Sequence, residues 1–147
     1  MQIVQQINIE REAKEVFALI GDPARYPEFL AGMTTWKPLA GFHGPAGVGS
    51  RFRTLMKVGS VEVGGVVEVE QWDEDSCIAW RAVQGVRQWG RWLLIPVDGT
   101  TDLRLEIGYD VGGGPVGWLT ERLAARTMAR NMWATLLAAR RLVEGEG

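Results

Sequence analysis

The 147-residue sequence has one cysteine and one histidine, and each scarcity removes a class of chemistry. Cys77 has no partner for an internal disulfide, which fits a reducing compartment. His43 has no second histidine or nearby cysteine with which to hold a metal, so none is expected. No serine or acid stands beside it for a nucleophilic triad, and no nucleophile elbow occurs. Long apolar runs are missing too. The longest charge-free run of the tail, Val111 to Thr120, is short and glycine-laden, so no membrane insertion is expected. The opening Met1-Gln2-Ile3-Val4-Gln5-Gln6 lacks the basic and apolar blocks of a signal peptide, and a cytoplasmic protein is the expectation. Excess charge is absent. A net charge of −2 makes no electrostatic case for nucleic acid or an anionic membrane. Gly44 and Gly49 have the outer spacing of a phosphate loop, but Ser50-Arg51 follows without a lysine and leads into a strand. The motif needs a helix N-terminus, so it is rejected, and no cofactor is expected.

What the chain has instead is tryptophan, at 36, 72, 80, 89, 92, 118 and 133. Such enrichment suits a heavy core or an aromatic-lined pocket. The length is that of one domain, 1–147, with a core that needs no staples.

Taken in order, Gln2–Ile9 alternates as a strand, and Glu10–Ile20 carries the apolar stripe Val16, Phe17 and Ile20 of a short helix. Gly21-Asp22-Pro23 ends it, and Ala24–Leu30 reads as a second short helix. Gly32–Ala40 is extended, and Gly41–Gly49 is a loop. Strands then follow one another. Phe52, Thr54, Met56 and Val58 share a face, Gly59-Ser60 turns the chain, and Val61, Val63, Val67 and Val69 alternate against Glu62, Glu68 and Glu70. Gly64-Gly65 is where a bulge or bend would go, which would exchange the faces of Val66 and Val67. Asp73–Ser76 turns the chain; Ile78, Trp80 and Ala82 form the next inward set, and Gln88, Gly90, Trp92 and Leu94 the one after it. Asp98-Gly99 signals a tight hairpin before Leu103, Leu105, Ile107, Tyr109 and Val111. This is an antiparallel meander with one face on a core.

The last stretch, Pro115 to about Glu144, reads as one helix of roughly 45 Å, as long as a domain of this size is wide. The rest must wrap around it. Arg122, Arg126, Arg130, Arg140, Arg141 and Trp133 occupy one side. The opposite arc holds Thr120, Ala124, Thr127, Met128, Asn131, Met132, Thr135, Ala138 and Leu142. Small residues there mean either a close helix–sheet approach or a gap, and a buried Asn131 amide, which needs a partner, favours the gap.

The order strand, two short helices, antiparallel strands and long helix resembles the START/Bet v 1-like (SRPBCC) superfamily. Within it, the polyketide cyclase/dehydrase-like branch is the nearest likeness. The residues that carry it are Ile9, Val16-Phe17-Ala18-Leu19-Ile20-Gly21-Asp22, Tyr26-Pro27-Glu28-Phe29, Gly47-Val48-Gly49-Ser50-Arg51-Phe52 and the C-terminal helix. Asp22–Leu30 is also similar to the coenzyme Q-binding, Coq10-type branch. The resemblance implies an α+β helix-grip fold: a curved antiparallel sheet of about seven strands wrapped around the long helix. It implies a deep cavity between them for hydrophobic ligands.

On this register Glu62, Glu68, Glu70, Glu106 and Asp110 face away from the cavity. The residues expected to meet a ligand are Phe29, Trp36, Phe52, Thr54, Met56, Val67, Trp80, Gln88, Trp92, Leu94, Leu105, Tyr109, Thr127, Met128 and Asn131, gated by Tyr26–Leu30. Arg87 and Arg91 stand either at its mouth, for a ligand carboxylate, or on the solvated face. Three functions compete. The first is binding or carriage of a hydrophobic small molecule or lipid. The second is a cyclase or dehydratase with Tyr109 and Asn131 polarising a carbonyl. The third is a protein-interaction module using the arginine stripe. A homodimer is left open.

Overall fold

The computed structural model describes residues 2–39, 47–58, 61–110 and 114–146, without the side chains of 58, 61, 63, 114–121, 123 and 146. Expectations for Ala40, most of the Gly41–Gly49 loop with His43, the Gly59-Ser60 turn, Val111, and the side chains of Trp118 and Thr120 lie outside the described residues.

Strand β1 (Gln2–Ile9) leads to helix α1 (Ala13–Ile20) and a 3₁₀ helix (Pro23–Glu28). Strands β2 (Met33–Pro38), β3 (Arg51–Val58), β4 (Val61–Asp73), β5 (Cys77–Gly85), β6 (Arg87–Val97) and β7 (Thr100–Asp110) precede helix α2 (Gly114–Glu146). The described strands form one antiparallel sheet in the order β1-β7-β6-β5-β4-β3-β2. All neighbours are consecutive in sequence except β1 and β7. That pairing, Gln2 opposite Gly108 through Ile9 opposite Thr101, joins the two ends of the meander.

α1 begins later than the sequence suggested, because Glu12 is extended (φ −70°, ψ 156°) and caps it, its N–H donating to Glu15 Oε2 at 3.3 Å. The second short helix is 3₁₀ and starts at Pro23; Pro27 inside it has no N–H for a continuing α-helical ladder. At the β6–β7 hairpin Asp98 (φ 47°) and Gly99 (φ 82°) both take positive φ, as the tight turn requires.

The pairing of β4 with β3 runs unbroken through Gly64-Gly65, so the bulge is not there. What these glycines provide is close approach. A carbon added at Gly65 would sit 2.8 Å from the carbonyl carbon of Gln84 and 2.9 Å from the Cα of Gly85. The irregularities fall further along the β4–β5 ladder. Val66 opposes Gln84 and Val67 opposes Ala82, leaving Val83 as the extra residue; Val69 opposes Trp80 and Gln71 opposes Ala79, leaving Glu70 extra. Val67 keeps the concave face, and past Glu70 the phase flips so that Trp72 turns inward with Ile78.

The densest core lies where α1 and the C-terminal half of α2 cover β1, β6 and β7: Ile9, Val16, Leu19, Ile20, Leu103 and Leu136 are all but inaccessible. Along α2 the buried stripe runs through Met128, Met132 and Thr135, then continues through Leu136, Ala139 and Val143, with Ala138 and Leu142 only partly buried. The C-terminal end of the helix is therefore turned slightly from the arc read off the sequence.

Candidate ligand cavity

Between the concave face of the sheet and the first half of α2, the small-residue arc does not close on the strands. It roofs a cavity of about 190 Å³. The floor is built from residues of six strands, β2 to β7: Trp36, Thr54, Met56, Val67, Trp80, Gln88, Trp92, Leu105, Ile107 and Tyr109. Ala124, Thr127, Met128, Asn131, Met132 and Thr135 of α2 form the roof; Tyr26, Leu30, Ala31 and Met33 close one side.

Three residues expected in the wall are elsewhere. Phe29 packs edge-on against Tyr26, with ring centroids 5.6 Å apart at 87°, and tilts against Trp92 at 6.3 Å, behind the surface a ligand would touch. Phe52 lies under Trp36, the rings stacked at 5.2 Å and 28°, and faces a smaller void of about 20 Å³. Leu94 is on the inward phase of β6, but opposite Leu103, where the core has already closed. Met33, Gly64 and Val86 are wall residues that periodicity did not find. Met33 opposes Met56 and Trp36 opposes Thr54, with a shift between Met33 and Thr35 that puts both on the concave side. Val86 sits in the β5–β6 turn, where no alternation operates.

Two glycines shape the sheet around indoles. A carbon added at Gly90 would lie 2.8 Å from Trp80 Cε2 and closer still to Cζ2, so Trp80 rests directly on Gly90 at the cavity floor. On the opposite face Trp89 covers Gly108 in the same way, and there the indole is 43% exposed. Bare backbone at both positions lets an indole lie flat on the sheet.

The polar groups of the wall divide into committed and uncommitted sets. Tyr26 donates its hydroxyl to Ile20 O at 2.6 Å; burial, then the negative Asp22, push the phenol well above its ordinary range, so it stays protonated. Thr135 Oγ1 accepts from the Ala31 N–H at 2.9 Å, and Thr54 Oγ1 reaches Gly65 O at 3.5 Å. Gln88, Thr127 and Asn131 make no hydrogen bond with another described residue. The Asn131 amide lies against Gly32, whose φ of +81° and missing Cβ admit it; a carbon there would be 2.8 Å from Asn131 Cγ. Trp36 Nε1 is buried between rings with no acceptor among the described residues.

Among the described residues the wall contains no Asp, Glu, Lys, Arg or His. The charges are on the other side of the sheet. Glu106 faces outward as its phase requires, yet its side chain is only 5% exposed. Its Oε1 accepts from Arg91 Nε at 2.7 Å and from Gln2 Nε2 at 3.4 Å; Arg104 Nε lies 2.8 Å from its Oε2 as an ion contact without hydrogen-bond alignment. The Arg91 hydrogen bond outweighs burial and holds the carboxyl below the usual carboxylate range, while Glu106 raises Arg91 in turn. Arg91 is thus tied to the convex face rather than to a cavity mouth, and Arg87 stands exposed, 4.0 Å from Asp110. Cys77 is buried, and burial raises its thiol, as for a small core residue rather than a nucleophile. Among the described residues no three His, Cys, Asp or Glu side chains are grouped to hold a metal. Nor is any helix there long and apolar enough to cross a membrane.

A curled antiparallel sheet gripping one long helix over an apolar cavity defines the helix-grip fold of START-like proteins. The chain belongs to the polyketide cyclase/dehydrase and lipid transport family, whose pattern it matches over residues 1–144. Solved structures agree on the fold. TTHA0849 from Thermus thermophilus superposes with a TM-score of 0.85 at 19% identity, over 100% of this chain and 99% of that one. The Zhui aromatase/cyclase from Streptomyces sp. R1128 gives 0.81 at 18%, over 98% and 93%. A START superfamily protein from Mycobacterium smegmatis gives 0.76 at 17%, over 99% of each chain. No curated protein matches the chain.

Proposed function

We propose that this chain, acting as one domain over residues 1–147, binds and carries a hydrophobic small molecule or lipid in the cavity. The supporting observation is a wall of apolar and aromatic side chains with a few polar groups that have no hydrogen-bond partner among the described residues. Close-packed interiors leave few such voids, and an apolar one lined by flat rings favours an apolar guest over water. Membership of a family that includes lipid transport is consistent with carriage.

The same membership, and the fold shared with an aromatase/cyclase, support a second reading, a cyclase or dehydratase. Its catalytic groups would be Tyr109 and Asn131, polarising a carbonyl. Carriage stands ahead of it because the described wall offers no carboxylate or imidazole to move a proton, and Tyr26 is committed to Ile20.

Native mass spectrometry of freshly purified protein, beside its denatured mass, tests the proposal. A co-purified species of small-molecule mass, released on denaturation, is the expected result. A clean apo mass, together with turnover of a polyketide-like substrate that Tyr109→Phe abolishes, would overturn carriage in favour of the enzyme.

A further inference from the structure

We infer that the ligand is a compact, uncharged molecule of one ring or two fused rings, with an oxygen that accepts a hydrogen bond from the Asn131 amide. This rests on the cavity being the binding site, and goes beyond it in naming size, charge and anchor.

Size comes first. An engineered apolar cavity of about 150 Å³ takes up benzene, and the present one encloses about 190 Å³. One substituted ring, or a small fused pair, fills that volume. Shape follows from the indoles of Trp36, Trp80 and Trp92 in the wall, whose faces and edges pair well with a flat ring.

Charge is decided by what the wall cannot do. Burying a carboxylate or phosphate without a partner costs several kcal/mol, and among the described residues no cation lines the cavity. The arginines of the sheet are on its convex side, as Arg91 and Arg104 around Glu106 show. A neutral group escapes that penalty.

The anchor is the uncommitted amide. Asn131 projects from α2 into the cavity and packs on Gly32, one helical turn before Thr135, whose hydroxyl holds the neighbouring Ala31 N–H. Among the described residues Thr135 is therefore occupied and Asn131 is not. Its amide, wedged against Gly32, is held in place without being satisfied, which is the condition of a preorganised donor. A ketone, ester or phenol oxygen would satisfy it.

Three probes of nearly equal shape separate these elements: acetophenone, benzoate and cumene, titrated calorimetrically at pH 7.5. The wild type should bind acetophenone, and benzoate on the order of 100-fold more weakly, the cost of an unpaired buried charge. Asn131→Leu should weaken acetophenone about 3- to 10-fold and leave cumene unchanged. Asn131→Asp, which keeps the shape but replaces the donor with a carboxylate, should weaken acetophenone at least as much. Because both variants must still pack on Gly32, each is first shown to melt cooperatively.

Benzoate binding as tightly as acetophenone would overturn the neutral class. Equal losses of acetophenone and cumene in Asn131→Leu would overturn the anchor. If no probe binds the wild type while a co-purified mass is present, the size and class assigned here are wrong but carriage survives. If there is neither a probe nor a co-purified mass, both fall together.

Discussion

Gly90→Ala is the substitution that separates the cavity from the fold. The added methyl would lie 2.8 Å from Trp80 Cε2, nearer still to Cζ2, and 2.9 Å from the backbone oxygen of Glu106, whereas carbon atoms rest about 3.5–4.0 Å apart. The sheet backbone is tied on both sides by β5 and β7, so the indole must give way, by about 1 Å, into the cavity. One face of an indole covers roughly 60 Å², about a third of the area such a residue buries. The displacement therefore removes on the order of 60 Å³ from a cavity of about 190 Å³. A one-ring ligand that just fits should lose at least about tenfold in affinity. Strain from overpacking should cost about 1–3 kcal/mol, or roughly 3–10 °C in Tm for a chain of this length. Gly108→Ala is the matched control. It presses Trp89 off the opposite face of the same sheet, and that indole moves into solvent. Its affinity should equal that of the wild type. Calorimetric titration of both variants with acetophenone, beside thermal melts, makes the comparison. Wild-type affinity in Gly90→Ala, or an equal loss in Gly108→Ala, would refute the assignment of the concave face as the binding surface.

Other outcomes follow from single contacts. Tyr26→Phe leaves Ile20 O without the 2.6 Å hydrogen bond it accepts in a dry environment, so it should lose about 1–2 kcal/mol and melt about 2–8 °C lower. A melting point equal to wild type would mean that water replaces the hydroxyl. Glu106→Gln should cost about 1–2 kcal/mol at neutral pH, less than a fully buried pair, because Arg91 and Arg104 are 49% and 38% exposed and can rehydrate. Its pH dependence has a definite sign. The folded carboxyl is held below its unfolded value, so its contribution is complete above the ordinary carboxylate range and fades as pH falls through and below it. The gap in Tm between wild type and Glu106→Gln should therefore narrow on acidification, and a constant gap would exclude the ion cluster as its origin. Trp80→Ala enlarges the floor and removes the largest flat contact there, so ring-bearing probes should bind several-fold more weakly in a protein that still folds cooperatively.

Much of this architecture is readable along the chain because its signals are local. Leu103, Leu105, Ile107 and Tyr109 alternate with Arg104, Glu106 and Gly108, and a strand with one face on the core is the arrangement that satisfies that period. Asp98-Gly99 marks its hairpin because few residue pairs accept two positive φ values. The run from Pro115 to Glu144 is helical because beyond Gly117, in its first turn, it holds neither glycine nor proline, and its small-residue arc marks the side turned to the cavity. Phase, once interrupted, is not local. The shift between Met33 and Thr35 and the extra residues Val83 and Glu70 redirect side chains by one position, and only partner strands reveal them.

Alternation and helical period thus determined, from the sequence alone, which residues of this protein face inward wherever the phase runs unbroken. They did not separate a wall from a core. Leu94 and Trp92 share a phase on β6, yet one is buried in the core opposite Leu103 and the other looks into the cavity. Phe52 and Thr54 share a phase on β3, yet Trp36 covers the first and leaves the second open. Nor did period foretell that Glu106, on the outward face, is buried under Arg91, Arg104 and Gln2 from three strands. The tertiary structure decided these things, because a void exists only where two surfaces remote in sequence fail to touch. Where they do touch depends on the curl of the sheet against α2, which no short stretch of sequence encodes.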